Sequence, residues 1–307
     1  MAELKQNLEK EFLSKGYLIC DKIGEGGNAH VYKAKQIYTD DFVAIKILKL
    51  PSYCCETNKL ELITYFKQSM KPYAFLNHSA IISCFESGEL SNGIPYAVFE
   101  YISGDSLKQF LIIRRTPSVI ATIMTKVLNA LAYSHTVGIV HGDLKPHNIM
   151  ILGSEEDLHV KLIDFGAYES IDGLKSSGVK SRSPMYNSPE QLKGNSPTAQ
   201  CDLYAWALIF LECLIGMPII SGNSIDELTR NHLSVQEHTI PKEIRKHPLG
   251  NLLALALNKK ANRSVLNTQC LEKELSKLDY NTLPNCRIYH QKNRPSDIEY
   301  TILSFPK

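Results

Sequence analysis

His141-Gly142-Asp143-Leu144-Lys145-Pro146-His147-Asn148, followed after a short hydrophobic run by Asp164-Phe165-Gly166, is the stretch on which the reading of this 307-residue chain turns. It sets two kinds of polar group at fixed spacing. Asp143 is of the kind that receives a proton from a hydroxyl, and Lys145, two residues on, can neutralise nearby negative charge. Asn148 and Asp164 supply the hard oxygen ligands that hold a small divalent cation. The run Val160 to Ile163 reads as a buried strand that delivers Asp164 into a turn.

Further motifs lie toward the N-terminus. Gly24-Glu25-Gly26-Gly27-Asn28-Ala29-His30-Val31 falls between Leu18-Ile19 and Val31-Tyr32, two runs that read as strands. Gly24 and Gly26 would let the backbone approach a phosphate with no Cβ in the way. Val43-Ala44-Ile45-Lys46 alternates, so Val43 and Ile45 should be buried on one face and Ala44 and Lys46 turned to the other. Tyr96 to Gly104 reads as a buried strand entering a turn, with a helix from about Ser106. Each piece alone has an ordinary meaning: a hairpin turn, a solvated strand lysine, a turn after a strand. Their joint order carries the weight, because independent turns have no reason to fall in one sequence of motifs.

In that order the motifs resemble the protein kinases of the serine/threonine type, and are similar to the bacterial members of that family. The resemblance covers roughly residues 16 to 278, including a final helix at Leu271, Leu275 and Leu278. It implies an α+β, bilobal fold with a small β-rich N-lobe at about 16–100 and a larger helical C-lobe at about 103–278, flanked by an extension at 1–15 and a tail at 279–307. It also implies ATP and Mg2+, with transfer of the γ-phosphate to a serine or threonine hydroxyl of a protein. By resemblance Asp143 orients that hydroxyl, Lys145 neutralises the moving phosphoryl group, and Asn148 and Asp164 hold the metal. Ile23, Gly24, Gly26, Gly27, Val31, Ala44, Lys46 and Met150 would surround the nucleotide. Phe99 would be the gatekeeper, and the carbonyl of Glu100 and amide of Ile102 would meet the adenine edge. Asp105 would reach the ribose or cap a helix. Ser183 stands where the family has a threonine linking Asp143 and Lys145. Ser188-Pro189-Glu190 resembles the end of the activation segment, with Glu190 paired to Arg263. Asp202 would bind the backbone of the catalytic loop, and the apolar run Leu203 to Ile220 would be the central C-lobe helix; Glu212, Gly216 and Pro218 argue against a membrane span.

Three positions depart from the family pattern. Ala29 replaces the third glycine. Gly142 replaces an arginine that clamps a phosphorylated activation segment, so Ser176, Ser177 and Ser181 lack that cation. The glutamate that pairs with the strand lysine falls in one of two registers: counting back nine residues from His78 reaches Ser69, whereas Glu61 lies fifteen residues after Lys46, with Pro72 able to end the helix early. Ser69 is the favoured register. A second reading follows, a pseudokinase that binds nucleotide and signals by shape.

Composition narrows the classes. A net charge of +2 with no basic block argues against a nucleic-acid partner. Eight scattered cysteines, with only Cys54-Cys55 adjacent, argue for thiols in a reducing compartment and against a disulfide frame or zinc site. Met1 to Lys15 is charged and amphipathic without an apolar core, so no secretory signal is expected. A cytoplasmic protein, in its own cell or in a host, is the corresponding expectation. The tail, with its apolar end Ile298 to Phe305, reads as a loosely packed extension.

Overall fold

The computed structural model describes residues 2–25, 29–51, 55–165, 184–222, 224–234, 238–259 and 267–284, with residues 2–5 and 225 described by backbone alone. The described residues form two compact units: the first runs to Asn77 and resumes over Ile82–Ser103, and the second comprises His78–Ile81 and the chain from Gly104.

Period-two patterning builds the first unit. Strands β1 (Tyr17–Glu25), β2 (Ala29–Gln36), β3 (Phe42–Leu48), β4 (Cys84–Glu89) and β5 (Pro95–Glu100) form one antiparallel sheet in the order β1-β2-β3-β5-β4. As the alternation requires, Val43, Ile45 and Ile47 are buried, while Ala44 and Lys46 lie on the other face of β3. Helix α1 (Ala2–Ser14) closes the buried face: Phe12 is fully buried against Tyr17, Val43, Ile45, Tyr96 and Val98. Its ring meets that of Tyr96 edge-on at 5.1 Å. Burial of such a side chain contributes about 2 to 3 kcal/mol. The Glu11 carboxylate accepts the amide of Ser91 at 2.6 Å and its hydroxyl at 3.1 Å, fixing the β4–β5 turn. The extension expected at 1–15 is therefore packed helix over its described part. Helix α2 (Glu56–Met70) faces inward through Phe66 and Met70 and gives way to a 3-10 turn, Lys71–Ala74, at Pro72.

The second unit is mostly helical. A short sheet, β6 (Asp105–Ser106), β7 (Ile149–Leu152) and β8 (His159–Leu162), is antiparallel in that order. Gly104 enters it so closely that a Cβ would stand 2.3 Å from the Ile151 carbonyl oxygen. Ser106, not Asp105, caps the helix α3 (Leu107–Phe110): its hydroxyl accepts the Gln109 amide, while the Gln109 side chain accepts the amide of Ser106. Helix α4 (Pro117–Thr136) is capped by Thr116. Helices α5 (Pro189–Leu192), α6 (Ala199–Ile215), α7 (Ile225–Leu233), α8 (Lys242–Lys246), α9 (Pro248–Ala256) and α10 (Thr268–Leu275) follow.

Helix α6 is buried at every position from Cys201 to Ile215, which accounts for its apolar sequence. The indole of Trp206 donates to the Met124 carbonyl of α4 at 2.8 Å. Among the described residues no helix is long and apolar enough to cross a membrane. Leu271 and Leu275 of α10 are fully buried, and packing continues past Leu278: the Tyr280 hydroxyl lies 3.2 Å from that of Thr125, and Leu283 is buried.

Candidate active site

In the second unit the chain leaves α4 through a left-handed Gly138 and runs irregularly from Ile139 to Lys145. Irregular buried backbone needs hydrogen-bond partners, and one side chain supplies two of them. Asp202, 1% exposed in the first turn of α6, accepts the amides of His141 and Gly142 at 2.8 Å each. It also accepts the Nε2–H of His135 at 2.8 Å. Hydrogen bonds to a charged acceptor contribute about 1.5 to 3 kcal/mol each, and the helix N-terminus further favours the carboxylate. The sequence reading identified Asp202; it missed His135, whose place in the last turn of α4 bears no motif.

His141 sets the second level of order. Its Nδ1 accepts the Asp143 amide at 3.3 Å and its Nε2–H donates to the Ile163 carbonyl at 3.1 Å, so the ring ties the catalytic loop to the segment entering Asp164. Complete burial pushes its pKa down, which keeps the ring neutral and this tautomer fixed. The ring packs against Phe165 at 4.5 Å.

Asp143, Lys145 and Asn148 are brought together. The Lys145 ammonium donates to Asp143 Oδ2 at 2.7 Å, and the Asn148 amide donates to the Asp143 carbonyl at 2.9 Å and to Oδ2 at 3.4 Å. Asn148 is buried, its nitrogen committed to Asp143, so Oδ1 is the atom with which it could ligate a cation. Asp164 takes a left-handed backbone, φ 57°, an uncommon state for a side chain other than glycine and one that aspartate tolerates better than most. Among the described residues no cluster of three or more His, Cys, Asp or Glu could hold a metal by itself. One carboxylate and one amide oxygen fit magnesium, which keeps several waters and binds together with phosphate oxygens.

In the first unit, cross-strand register opposes Val31 to Lys46 and Ala44 to Phe99, so all four expected nucleotide contacts share one face of the sheet. Gly24 and Ile23 lie in β1, where Gly24 opposes Val31. Glu25 pairs with Lys22 at 2.6 Å and with Lys49, and these two cations hold its carboxyl down at about 2. Glu100 closes β5 and is tied twice to Ser83, its amide donating to the Ser83 carbonyl and its carboxylate accepting the Ser83 amide. Ile102 follows in irregular backbone, and Met150 is buried in β7 of the second unit. On α2, Ser69 lies about 60° around the helix from buried Phe66 and Glu61 about 140°. The Ser69 hydroxyl donates to the Phe66 carbonyl at 2.8 Å, and Glu61 is exposed.

Gly26, Gly27, Gly166, Ser176, Ser177, Ser181, Ser183, Arg263 and the tail from residue 285 on lie outside the described residues. The Glu190 end of the expected ion pair with Arg263 accepts the Cys201 thiol at 3.4 Å. Residues 184–192 are strongly anchored. Ser188 caps α5, and the Gln191 side chain both accepts the Ser188 amide and donates to the Gly142 carbonyl at 2.8 Å. That link was not foreseen, although Ser188-Pro189-Glu190-Gln191 is a capping-box pattern that places such an amide. The Tyr186 hydroxyl donates to Glu212 at 2.7 Å. Burial pushes the Glu212 carboxyl up, opposed by Lys108 at 3.6 Å and by Tyr186.

Comparison with known proteins gives the same answer. The chain is 33% identical over 228 residues to the serine/threonine-protein kinase PrkC of Bacillus subtilis, a match covering 73% of this chain and 34% of that protein. It is 30% identical over 281 residues to the serine/threonine-protein kinase pkn3 of Myxococcus xanthus, covering 86% of this chain and 50% of the relative. PknL of Mycobacterium tuberculosis is 31% identical over 227 residues, 73% of this chain and 55% of its own length. The chain thus spans about a third to a half of the length of these relatives. The family profile described as the protein kinase domain matches residues 17–279, and with this fold and catalytic loop the chain belongs to the protein kinase family.

Proposed function

We propose that the chain transfers the γ-phosphate of ATP to a serine or threonine hydroxyl of a protein. The observation that carries this reading is the Lys145–Asp143–Asn148 cluster, held in an otherwise irregular loop by the buried carboxylate of Asp202. Such transfer depends on positioning and charge stabilisation more than on covalent help from the protein. Asp143 accepts the hydroxyl proton as the oxygen attacks. Lys145, 2.7 Å from Asp143 Oδ2, stabilises negative charge on the phosphoryl group in flight. Asn148 Oδ1 and Asp164 would hold magnesium, which would supply positive charge to neutralise the phosphate oxygens. Lys46, with Val31, Ala44 and Phe99 on the same sheet face, receives the nucleotide, along with Ile23, Gly24, Gly26, Gly27, Glu100, Ile102 and Met150. The buried thiols of Cys201 and Cys213 and the scattered cysteine pattern support a reducing, cytoplasmic setting.

A second reading, a nucleotide-binding scaffold without transfer, draws on the register in which Ser69, its hydroxyl bonded to the Phe66 carbonyl, takes the position facing Lys46. The two are separated by incubating purified protein with labelled ATP, magnesium and a generic protein acceptor beside an Asp143→Asn control. Label transfer by the wild type alone supports the enzyme; nucleotide binding with no transfer by either supports the scaffold.

A further inference from the structure

Under the segment Pro184–Tyr186 lies a chain of hydrogen bonds that the chemistry above does not use. His238 Nε2 stands 2.6 Å from the Tyr204 hydroxyl, that hydroxyl stands 3.2 Å from His232 Nδ1, and His232 Nε2 stands 3.0 Å from the Met185 carbonyl oxygen. Tyr204 and His232 are both fully buried. The direction of the chain follows from its last link. A carbonyl can only accept, so His232 Nε2 carries the hydrogen. Burial pushes the His232 pKa down to about 4, with Lys259 adding to the fall, so the ring is neutral near pH 7 and Nδ1 is bare. The Tyr204 hydroxyl must then donate to Nδ1, and His238 Nε2–H must donate to the Tyr204 oxygen. Every link points toward Met185.

Met185 matters because of what its segment touches. Residues 184–192 continue into α5, where Gln191 binds the carbonyl of Gly142, the residue before Asp143. Tyr186, next to Met185, is held by Glu212 of α6. This segment is thus tied to the loop of Asp143, which on the reading above meets the acceptor hydroxyl, and on that reading the acceptor polypeptide lies along it. Hydrogen bonds from Tyr186 and Gln191 are made by side chains of the segment itself. The one to Met185 is made to its backbone, from α7, by a group that touches neither nucleotide nor the Asp143 cluster.

We infer that His232, directed by Tyr204 and His238, is a positioning residue for the protein acceptor: it sets the Met185 carbonyl and with it the backbone path of the acceptor-facing segment. This rests on the kinase reading proposed above. The amide nitrogen of glutamine can occupy the place of His232 Nε2, whereas asparagine reproduces the place of Nδ1 and loses the donor to Met185. The variants His232→Gln and His232→Asn are therefore compared, with Tyr204→Phe as a variant that keeps the ring and removes only the hydroxyl.

The assay uses dephosphorylated casein as acceptor with magnesium and ATP, and amide hydrogen exchange over Met185–Leu192 as a readout that needs no activity. In His232→Asn the KM for casein should rise about tenfold with the KM for ATP unchanged, the mark of lost acceptor binding. His232→Gln should stay within about twofold of wild type, and Tyr204→Phe should fall between the two. Exchange over Met185–Leu192 should quicken in the asparagine variant and not in the glutamine variant. Equal behaviour of the two variants, a parallel rise in the KM for ATP, or unchanged exchange in both would overturn the inference. If the wild type transfers no label to casein, the kinase reading fails at that step, and the exchange comparison still decides whether His232 positions the segment.

Discussion

Gly142 shows how one residue can be read two ways. Its sequence meaning is a lost arginine and therefore a lost clamp on a phosphorylated segment. Its structural meaning is a backbone φ of 71°, the left-handed region that glycine enters without strain. Restoring a side chain should cost about 1 to 2 kcal/mol. Gly142→Ala is thus expected to lower the urea midpoint at unchanged slope, and an unaltered midpoint would show that the loop adapts. Asp164 and Lys145 separate by role. Asp164→Ala should abolish transfer, because one of the two proposed magnesium ligands is gone, while Lys145→Ala should slow the chemical step with less effect on nucleotide affinity. Equal loss of ATP binding in the two variants would show the assignment to be wrong.

At the scale of elements, α2 carries the open question of Lys46. If Ser69 occupies the facing position, Glu61→Gln should leave the rate nearly unchanged and Ser69→Glu should raise it. If Glu61 is the partner, removing its charge lets Lys46 leave the phosphate site, and misplacement by about an ångström costs on the order of a hundredfold in rate. Steady-state assays of the two variants decide between the registers. Strands were the most legible elements: the alternation at Val43-Ala44-Ile45-Lys46 gives both the buried face and the residues turned away from it. The long helix α6 was legible for the opposite reason, since a nearly continuous apolar run, interrupted by Glu212 and ending at Gly216 and Pro218, fits a helix buried on every side. Asp202 was legible because its place at the start of that helix resembles the family's. Of the two readings of Asp105, ribose contact or helix cap, the cap goes to Ser106 instead, because either side chain can cap and only packing chooses. His135, Gln191 and His232 could not be foreseen. Gln191 and His232 bond backbone carbonyls and His135 a carboxylate, each far away in sequence, and a single sequence holds no record of which loop a buried side chain will meet.

For the whole molecule the buried histidines make stability depend on pH. His232 has an ordinary pKa of 6.5 when unfolded and about 4 in the fold, where burial disfavours its charged form. The unfolded chain therefore binds the proton first. Stability is unaffected above about pH 6.5, falls as pH drops from there toward 4, and changes no further from this group below that point. The loss should reach about 3 kcal/mol for His232 alone. Urea unfolding at pH 7 and pH 4.5 checks this: the acid loss should shrink in His232→Gln, and an identical loss in that variant would assign the effect to other groups.

Trp206 gives the molecule an optical property. It is the only tryptophan of the chain, fully buried in α6 with its indole nitrogen bonded to the Met124 carbonyl. Fluorescence excited at the red edge of protein absorption therefore comes from one ring in the helical unit, and the five-stranded unit contributes none of it. Its emission should be blue in the native state and shift red only when α6 separates from α4. Tyrosines stand in both units, so a mismatch between tyrosine and tryptophan signals during unfolding would reveal, without any added label, whether the two units come apart together or in turn.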